Sequence, residues 1–383
     1  MLVRLFIVMA ALAAMNSGTL AGAATYVIAP DGSGDFATIE ACVAVCGPSD
    51  TIELTDGVFS GPGNMNILID GKTLTIASQS GSPENCRIDC QGVPGLVKRA
   101  FLIQNNAFVI LADIAIENGI ADNDHGGAIK IHSASMASLS GVAFRGNEAS
   151  WGGAIAQTSG DAYVDASDCR FLENFAQSGG GAVYTDGGQS NWYSCRFIDN
   201  HTDINGGACF SGPSGEMSFF TCIFSRNHAA VEGGATYLDS SGDIEFNSCT
   251  LSGNACMGGS AVYIGANASL EFDWTLLVYT DGAAGMTCDS PTYFMQNTNI
   301  FGNAGGDWVH PIDSEVGFNC NVSVDPEFCS PVPDEHQNWT LQEDSPCTSV
   351  HSPCGQIGAF GSGCGTVDAA ESSWGALKGA FRH

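Results

Sequence analysis

Two acids, two histidines and an arginine recur at one point of a regular pattern, and they are the residues of this chain best suited to chemistry. The tetrapeptide Phe-x-x-Asn ends on Asn147, Asn174, Asn200 and Asn227, and a degenerate copy ends on Asn254. The residue before the Asn runs Gly146, Glu173, Asp199, Arg226, Gly253; the residue after it runs Glu148, Phe175, His201, His228, Ala255. If equivalent positions stack, Glu173, Asp199, His201, Arg226 and His228 meet at one corner. Two carboxylates one step apart repel each other, which raises one pKa and creates the acid and base that glycosidic cleavage needs. Imidazole shuttles a proton near neutral pH, and a guanidinium holds an anionic sugar. The histidine pair beside a carboxylate equally suits a divalent cation. A solvated turn, with Arg226 and water neutralising the acids, is the plainer alternative.

A second set is built for binding. After each Gly-Gly-Ala-x the next residue runs Lys130, Ala156, Tyr184, Phe210, Tyr237, Tyr263. Lys130 in this register points the position outward. Stacked on an exposed strand face, Tyr184, Phe210, Tyr237 and Tyr263 form a flat platform for sugar rings or a patch for another protein. Turned inward, the same residues are core.

Both sets depend on a repeat. The alanines of Gly-Gly-Ala, at 128, 154, 182, 208, 235 and the degenerate 261, are 26, 28, 26, 27 and 26 residues apart; the asparagines are spaced 27, 26, 27 and 27. Two interleaved motifs with one period are the mark of a solenoid. Short alternating segments such as Ala162-Tyr163-Val164-Asp165 read as strands between Gly, Asn, Asp and Ser turns, and no unit holds a helical pattern. The expected fold is all-β: a right-handed parallel β-helix of about ten rungs over residues 50–320. Val142, Cys169, Cys195, Cys222 and Cys249 would stack inward, and the asparagines would bond along the axis at a bend.

Repeated Gly-Gly-Ala-Ile and Phe-x-x-Asn resemble the repeats of chlamydial polymorphic outer membrane proteins, and that resemblance implies a β-helical surface adhesin. The opening Pro30-Asp31-Gly32-Ser33-Gly34-Asp35-Phe36-Ala37-Thr38-Ile39 resembles the start of pectinesterases and other pectin-lyase-like β-helices. The Asp-Phe-Ile-Phe-Gly, Asn-Thr-Asp, Gly-His-Gly and arginine-bearing signatures of the enzymes on that fold do not occur.

Composition bounds the partners. With 12 Lys+Arg against 41 Asp+Glu the formal charge is −29, so nucleic acid and anionic membranes are poor partners. After the first 25 residues no apolar stretch reaches the roughly 18 residues of a membrane span. Residues 1–23 read as a secretory signal ending in Ala21-Gly22-Ala23, which makes 16 cysteines intelligible as disulfide-formers outside the cell. Residues 24–49 are expected to cap the solenoid with a short helix carrying Cys42 and Cys46. Residues 321–365 are expected to form a disulfide-rich C-terminal cap, for which zinc is the sharper alternative. Cys42, Cys46, Cys86, Cys90, Cys320, Cys329, Cys347, Cys354 and Cys364 are the disulfide candidates. Residues 366–383 suit a docked tail helix or an attachment peptide. The expected function is a secreted or cell-surface protein that binds polysaccharide or a partner surface. A polysaccharide lyase or glycoside hydrolase and a structural envelope protein are the competing classes. No cofactor is expected beyond a divalent cation at the histidine corner.

Overall fold

A computed structural model describes residues 22–364 except 258, 283, 290, 291 and 331–338. The expected signal segment and the 366–383 tail therefore fall outside the described residues. The chain winds through about ten turns of parallel β-solenoid. One rung shows the path: Met136–Ser140 lies in a first sheet, Ala143–Arg145 in a second, Glu148–Trp151 in a third and Ile155–Gln157 in a fourth. These sheets hold 11, 10, 6 and 9 strands respectively, and each strand pairs in parallel with its equivalent one rung away.

Each corner has its own chemistry. Between the first and second sheets one residue in the left-handed region makes the turn, as at Asp113, Gly141, Asp168, Ser194, Thr221 and Ser248. Between the second and third a similar residue is followed by the asparagine. Asn200 is typical. Its Nδ2 donates to the Phe171 and Asn227 oxygens, both at 2.9 Å, while its Oδ1 accepts from Asn174 N at 3.1 Å and Asn174 Nδ2 at 3.0 Å. Asn147, Asn174, Asn200 and Asn227 are fully buried, so this ladder satisfies backbone groups that water cannot reach.

The third corner explains Gly-Gly-Ala. Gly180 has φ 66°, and a Cβ there would lie 2.1 Å from the Val183 carbonyl oxygen; at Gly181 it would lie 2.1 Å from the Gly207 oxygen one rung on. Only glycine allows that approach.

Inside, Phe144, Phe171, Phe197 and Phe224 stack with centroids 4.8, 4.7 and 4.6 Å apart. Cys169, Cys195, Cys222 and Cys249 line the same interior as thiols, and each Sγ donates to a carbonyl two residues back. At the N-terminal end the helix Ile39–Val45 buries Ile39, Cys42 and Val43, and Thr38 caps it. Lys72 Nζ donates to the carbonyls of Val43, Ala44 and Cys46, which satisfies the helix's open end.

Trp308 and Ile312 pack against the far end of the main core. The Cys-rich segment then runs back along the flank instead of stacking on that end. Phe328, Trp339, Leu341, Cys347 and Ile357 cover the outer face of the second sheet at Ile198, Ile223, Leu276 and Val278. The reason lies in the sheet. Its outward positions carry Arg87, Glu117, Arg145, Arg170 and Arg196 in the earlier rungs and lose their charges after that, with Ile198, Ile223, Leu276 and Val278 set among Ser225, Thr250 and Ser252, and the apolar residues on that uncharged face need a cover.

Of the disulfide candidates, Cys320 pairs with Cys354 and Cys329 with Cys364. Cys42, Cys46, Cys86, Cys90 and Cys347 are buried thiols, a correction to the expectation. Cys42 and Cys46 sit one helical turn apart with sulfurs 3.7 Å from each other. Cys86 and Cys90 are four residues apart along an extended segment, too far to bond. Cys347 accepts from Asn299 Nδ2 at 3.2 Å within the flank cluster.

Candidate functional site

Strand alternation aims the fourth sheet's aromatic column outward, because its neighbours Val183, Cys209, Thr236 and Val262 are buried inside. The register Lys130, Ala156, Tyr184, Phe210, Tyr237, Tyr263 is continuous across five strand pairs. Phe210 stacks on Tyr237 at 4.8 Å and Tyr237 on Tyr263 at 4.6 Å, with interplanar angles of 16° and 11°. That geometry corrects the expected flat platform. From Phe210 to Tyr263 the stacked rings cover one another's faces, so solvent meets their edges, while Tyr184 is tilted 43° from Phe210 at 5.8 Å. Phe210 and Tyr263 are only 6% and 9% exposed, and Tyr184 and Tyr237 are half-buried.

A second column lines the file, and sequence reasoning missed it. The residue just before each Gly-Gly is His125, Trp151, Gly179, Asn205 or Glu232, and these pair in order along the third sheet. Trp151 lies 4.9 Å from the Tyr184 ring and edge-on to Phe210 at 5.1 Å, while His125 meets Tyr184 edge-on at 5.8 Å. Gly179 leaves room for them: a Cβ there would stand 2.7 Å from Phe210 and 2.8 Å from Trp151. The signal was present in the spacing, since these residues share the period of the alanines.

Polar groups close both ends. At the head, Lys130 Nζ donates to Asp124 Oδ1 at 2.6 Å and Arg99 Nη2 donates to Asp124 Oδ2. Burial pushes the Asp124 carboxyl up, but the Lys130 hydrogen bond and the Arg99 charge outweigh it and bring it to about 2. His125 is pushed below its usual value, first by burial and then by Lys130. At the foot, Tyr263 OH donates to Asp289 Oδ2 at 2.6 Å; burial and that bond push the phenol far up. Glu232 is raised by burial and by Asp289.

The acid–histidine corner divides around the buried asparagines. On one side Arg226 grips Asp199 in a two-point pair, Nε to Oδ1 at 2.8 Å and Nη2 to Oδ2 at 2.6 Å, one turn from the exposed Glu173. All three are turn residues with φ of 52–55°. On the other side His201 and His228 open third-sheet strands and stack at 4.9 Å, with Phe175 on His201 at 5.6 Å. Burial and the charge of His201 lower His228. Among the described residues no group of three or more His, Cys, Asp or Glu side chains is placed to hold a metal ion. The first sheet carries another aromatic pair outside the expectations: Tyr193, 40% exposed, stacks on Phe220 at 5.1 Å, near Tyr163 and Asn191.

Three comparisons bear on this geometry. The profile of the Chlamydia polymorphic membrane protein (Chlamydia_PMP) repeat matches residues 168–186, the stretch holding Phe171–Asn174 and Gly180–Val183. No curated protein sequence matches the chain. Among solved structures the chain is similar to pectate lyase Pel9A at 11% identity, over 90% of this chain and 98% of that one, with a TM-score of 0.48. It is also similar to the PL6 family alginate lyase AlyGC at 9% identity, over 90% and 58%, with a TM-score of 0.27. Likenesses this distant carry no argument about chemistry.

Proposed function

We propose that this chain is an exported, surface-type β-helix protein that binds polysaccharide along the outward file from Trp151 to Tyr263. The carrying observation is the continuity of that file. Its rings from Tyr184 to Tyr263 come from successive rungs with centroids 5.8, 4.8 and 4.6 Å apart, and it ends in fixed polar groups, as an extended repetitive ligand requires. Because rings present edges and the Tyr263 hydroxyl is held by Asp289, recognition runs through the hydroxyls of the half-buried Tyr184 and Tyr237 and the exposed part of Trp151 more than through ring faces. The polymorphic-membrane-protein repeat at 168–186 supports a surface role.

Catalysis at Glu173, Asp199, His201, Arg226 and His228 is the competing reading. The two-point Asp199–Arg226 pair weighs against it, since it ties up the carboxylate and the cation that the mechanism would use.

Glycan-array screening followed by calorimetry tests the proposal. Trp151→Ala and Tyr237→Ala, each shown to be folded by circular dichroism, are expected to weaken the best ligand by about tenfold or more, as loss of one aromatic contact and its buried area implies. Unchanged affinity in both variants refutes it. Release of reducing ends or unsaturated product by wild type, lost in Asp199→Asn, would establish the enzymatic reading instead.

A further inference from the structure

The head of the file runs against the charge of the rest of the chain. Only 12 Lys+Arg oppose 41 Asp+Glu, yet Arg99 and Lys130 converge on a single carboxylate, Asp124. Arg99 comes from the segment ahead of Phe101–Gln104, and Lys130 from the strand one rung on, Ile129–Ile131. The Arg99 side chain is 4% exposed, and its Nη1 is buried with no hydrogen-bond partner. Lys130 commits one of its three N–H donors to Asp124 and, at 23% exposed, is the cation of the pair that reaches solvent. Beside them the His125 Nδ1 is likewise buried without a hydrogen bond, 3.8 Å from Asp124 Oδ1. Two permanent cations on one permanent anion leave a surplus positive charge with unused donors. A buried donor left unpaired is costly, and an oxyanion is the partner that would relieve it.

We propose that Arg99, Lys130 and His125 form an oxyanion site at the head of the aromatic file, which takes a carboxylate or sulfate group borne by a saccharide unit. The assignment of the saccharide rests on the polysaccharide reading above; the anion site itself does not. Screening over about 8 Å at physiological salt lets this local surplus, and not the whole-molecule charge, act on a group bound at Lys130. The aromatic file then reads the chain of the ligand while the head selects its charge and direction.

Calorimetry on the full chain compares an acidic oligosaccharide, its sulfated analogue and its neutral counterpart. Lys130→Gln is expected to weaken the acidic ligands by about tenfold or more, the loss of one charge-assisted hydrogen bond, and to leave the neutral one unchanged. Lys130→Arg should restore most of the loss. Equal affinity of wild type for acidic and neutral ligands, or an equal loss for both in Lys130→Gln, overturns the proposal. If no saccharide binds wild type, the polysaccharide reading fails and simple salts decide the anion site. A rise in unfolding temperature, from sodium chloride to sodium sulfate or sodium acetate of equal ionic strength, that is larger in wild type than in Lys130→Gln sustains it and tells sulfate from carboxylate, the general salt effect being common to both proteins. An equal rise in wild type and Lys130→Gln in both salts overturns it.

Discussion

Replacing Asn200 by Asp exchanges one heavy atom, the amide nitrogen for an oxygen, and changes almost no volume, yet it should turn the central asparagine ladder into a pH-sensitive fault. The wild-type amide donates to Phe171 O and Asn227 Oδ1, both at 2.9 Å, and accepts from Asn174 N and Nδ2 at 3.1 and 3.0 Å. A carboxylate keeps the two accepted bonds and faces two oxygens where it had donated. Asn200 is 0% exposed, so the charge cannot be solvated and the folded-state pKa rises well above the unfolded value of about 3.9. The sign follows. Below about pH 3.9 both states are protonated, the new O–H donates to one of the two oxygens, and the loss is about one hydrogen bond, roughly 1 kcal/mol. Above it the penalty grows by about 1.4 kcal/mol per pH unit until the folded pKa is reached. Asn200→Ala is the reference: it leaves the Asn174 amide and the Phe171 carbonyl without this partner at every pH, costing roughly 2–6 kcal/mol. Urea unfolding of wild type and both variants at about pH 3.5 and pH 7 should show Asp costlier than Ala at neutral pH and cheaper in acid. An Asp penalty that is equal at the two pH values, or below about 1 kcal/mol at pH 7, refutes the buried-ladder argument.

Three further outcomes are expected. Gly180→Ala should cost more than about 3 kcal/mol or prevent folding, whereas Gly253→Ala should cost only about 1–2 kcal/mol. The two share a φ near 65°, but the added Cβ meets the Val183 oxygen at 2.1 Å in one and nothing nearer than Arg226 Cγ at 3.9 Å in the other; chemical denaturation decides it. Asp124, at about 2 when folded, should stabilise the fold above about pH 4 and lose that contribution as pH falls toward 2, so Asp124→Asn should cost roughly 1–2 kcal/mol at pH 7 and almost nothing near pH 2 in paired urea titrations. Cys195 and Cys222, whose thiols burial pushes far up, should resist alkylation in the native protein while the half-buried Cys288 reacts first, and peptide mapping should recover Cys320–Cys354 and Cys329–Cys364 crosslinks.

The repeat by itself determined the solenoid, the inward cysteines, the asparagine bend and the strand column shared by Tyr184, Phe210, Tyr237 and Tyr263. It could do so because equivalent residues of successive rungs become neighbours whatever their rotamers, and because Gly-Gly and Asn each answer a requirement of the backbone at one position. Contacts between different columns are another matter. Whether stacked rings show faces or edges depends on rotamer. Whether Trp151 and His125 reach the file depends on the angle that Gly152 and Gly126 impose between two sheets. Arg99 joins Lys130 from 31 residues away only because one rung lies over the next. The histidines and the Asp199–Arg226 pair, neighbours in sequence, are parted by a buried asparagine between them. The Cys-rich segment found the flank of the second sheet because that face loses its charges over several rungs, a surface that no single repeat contains.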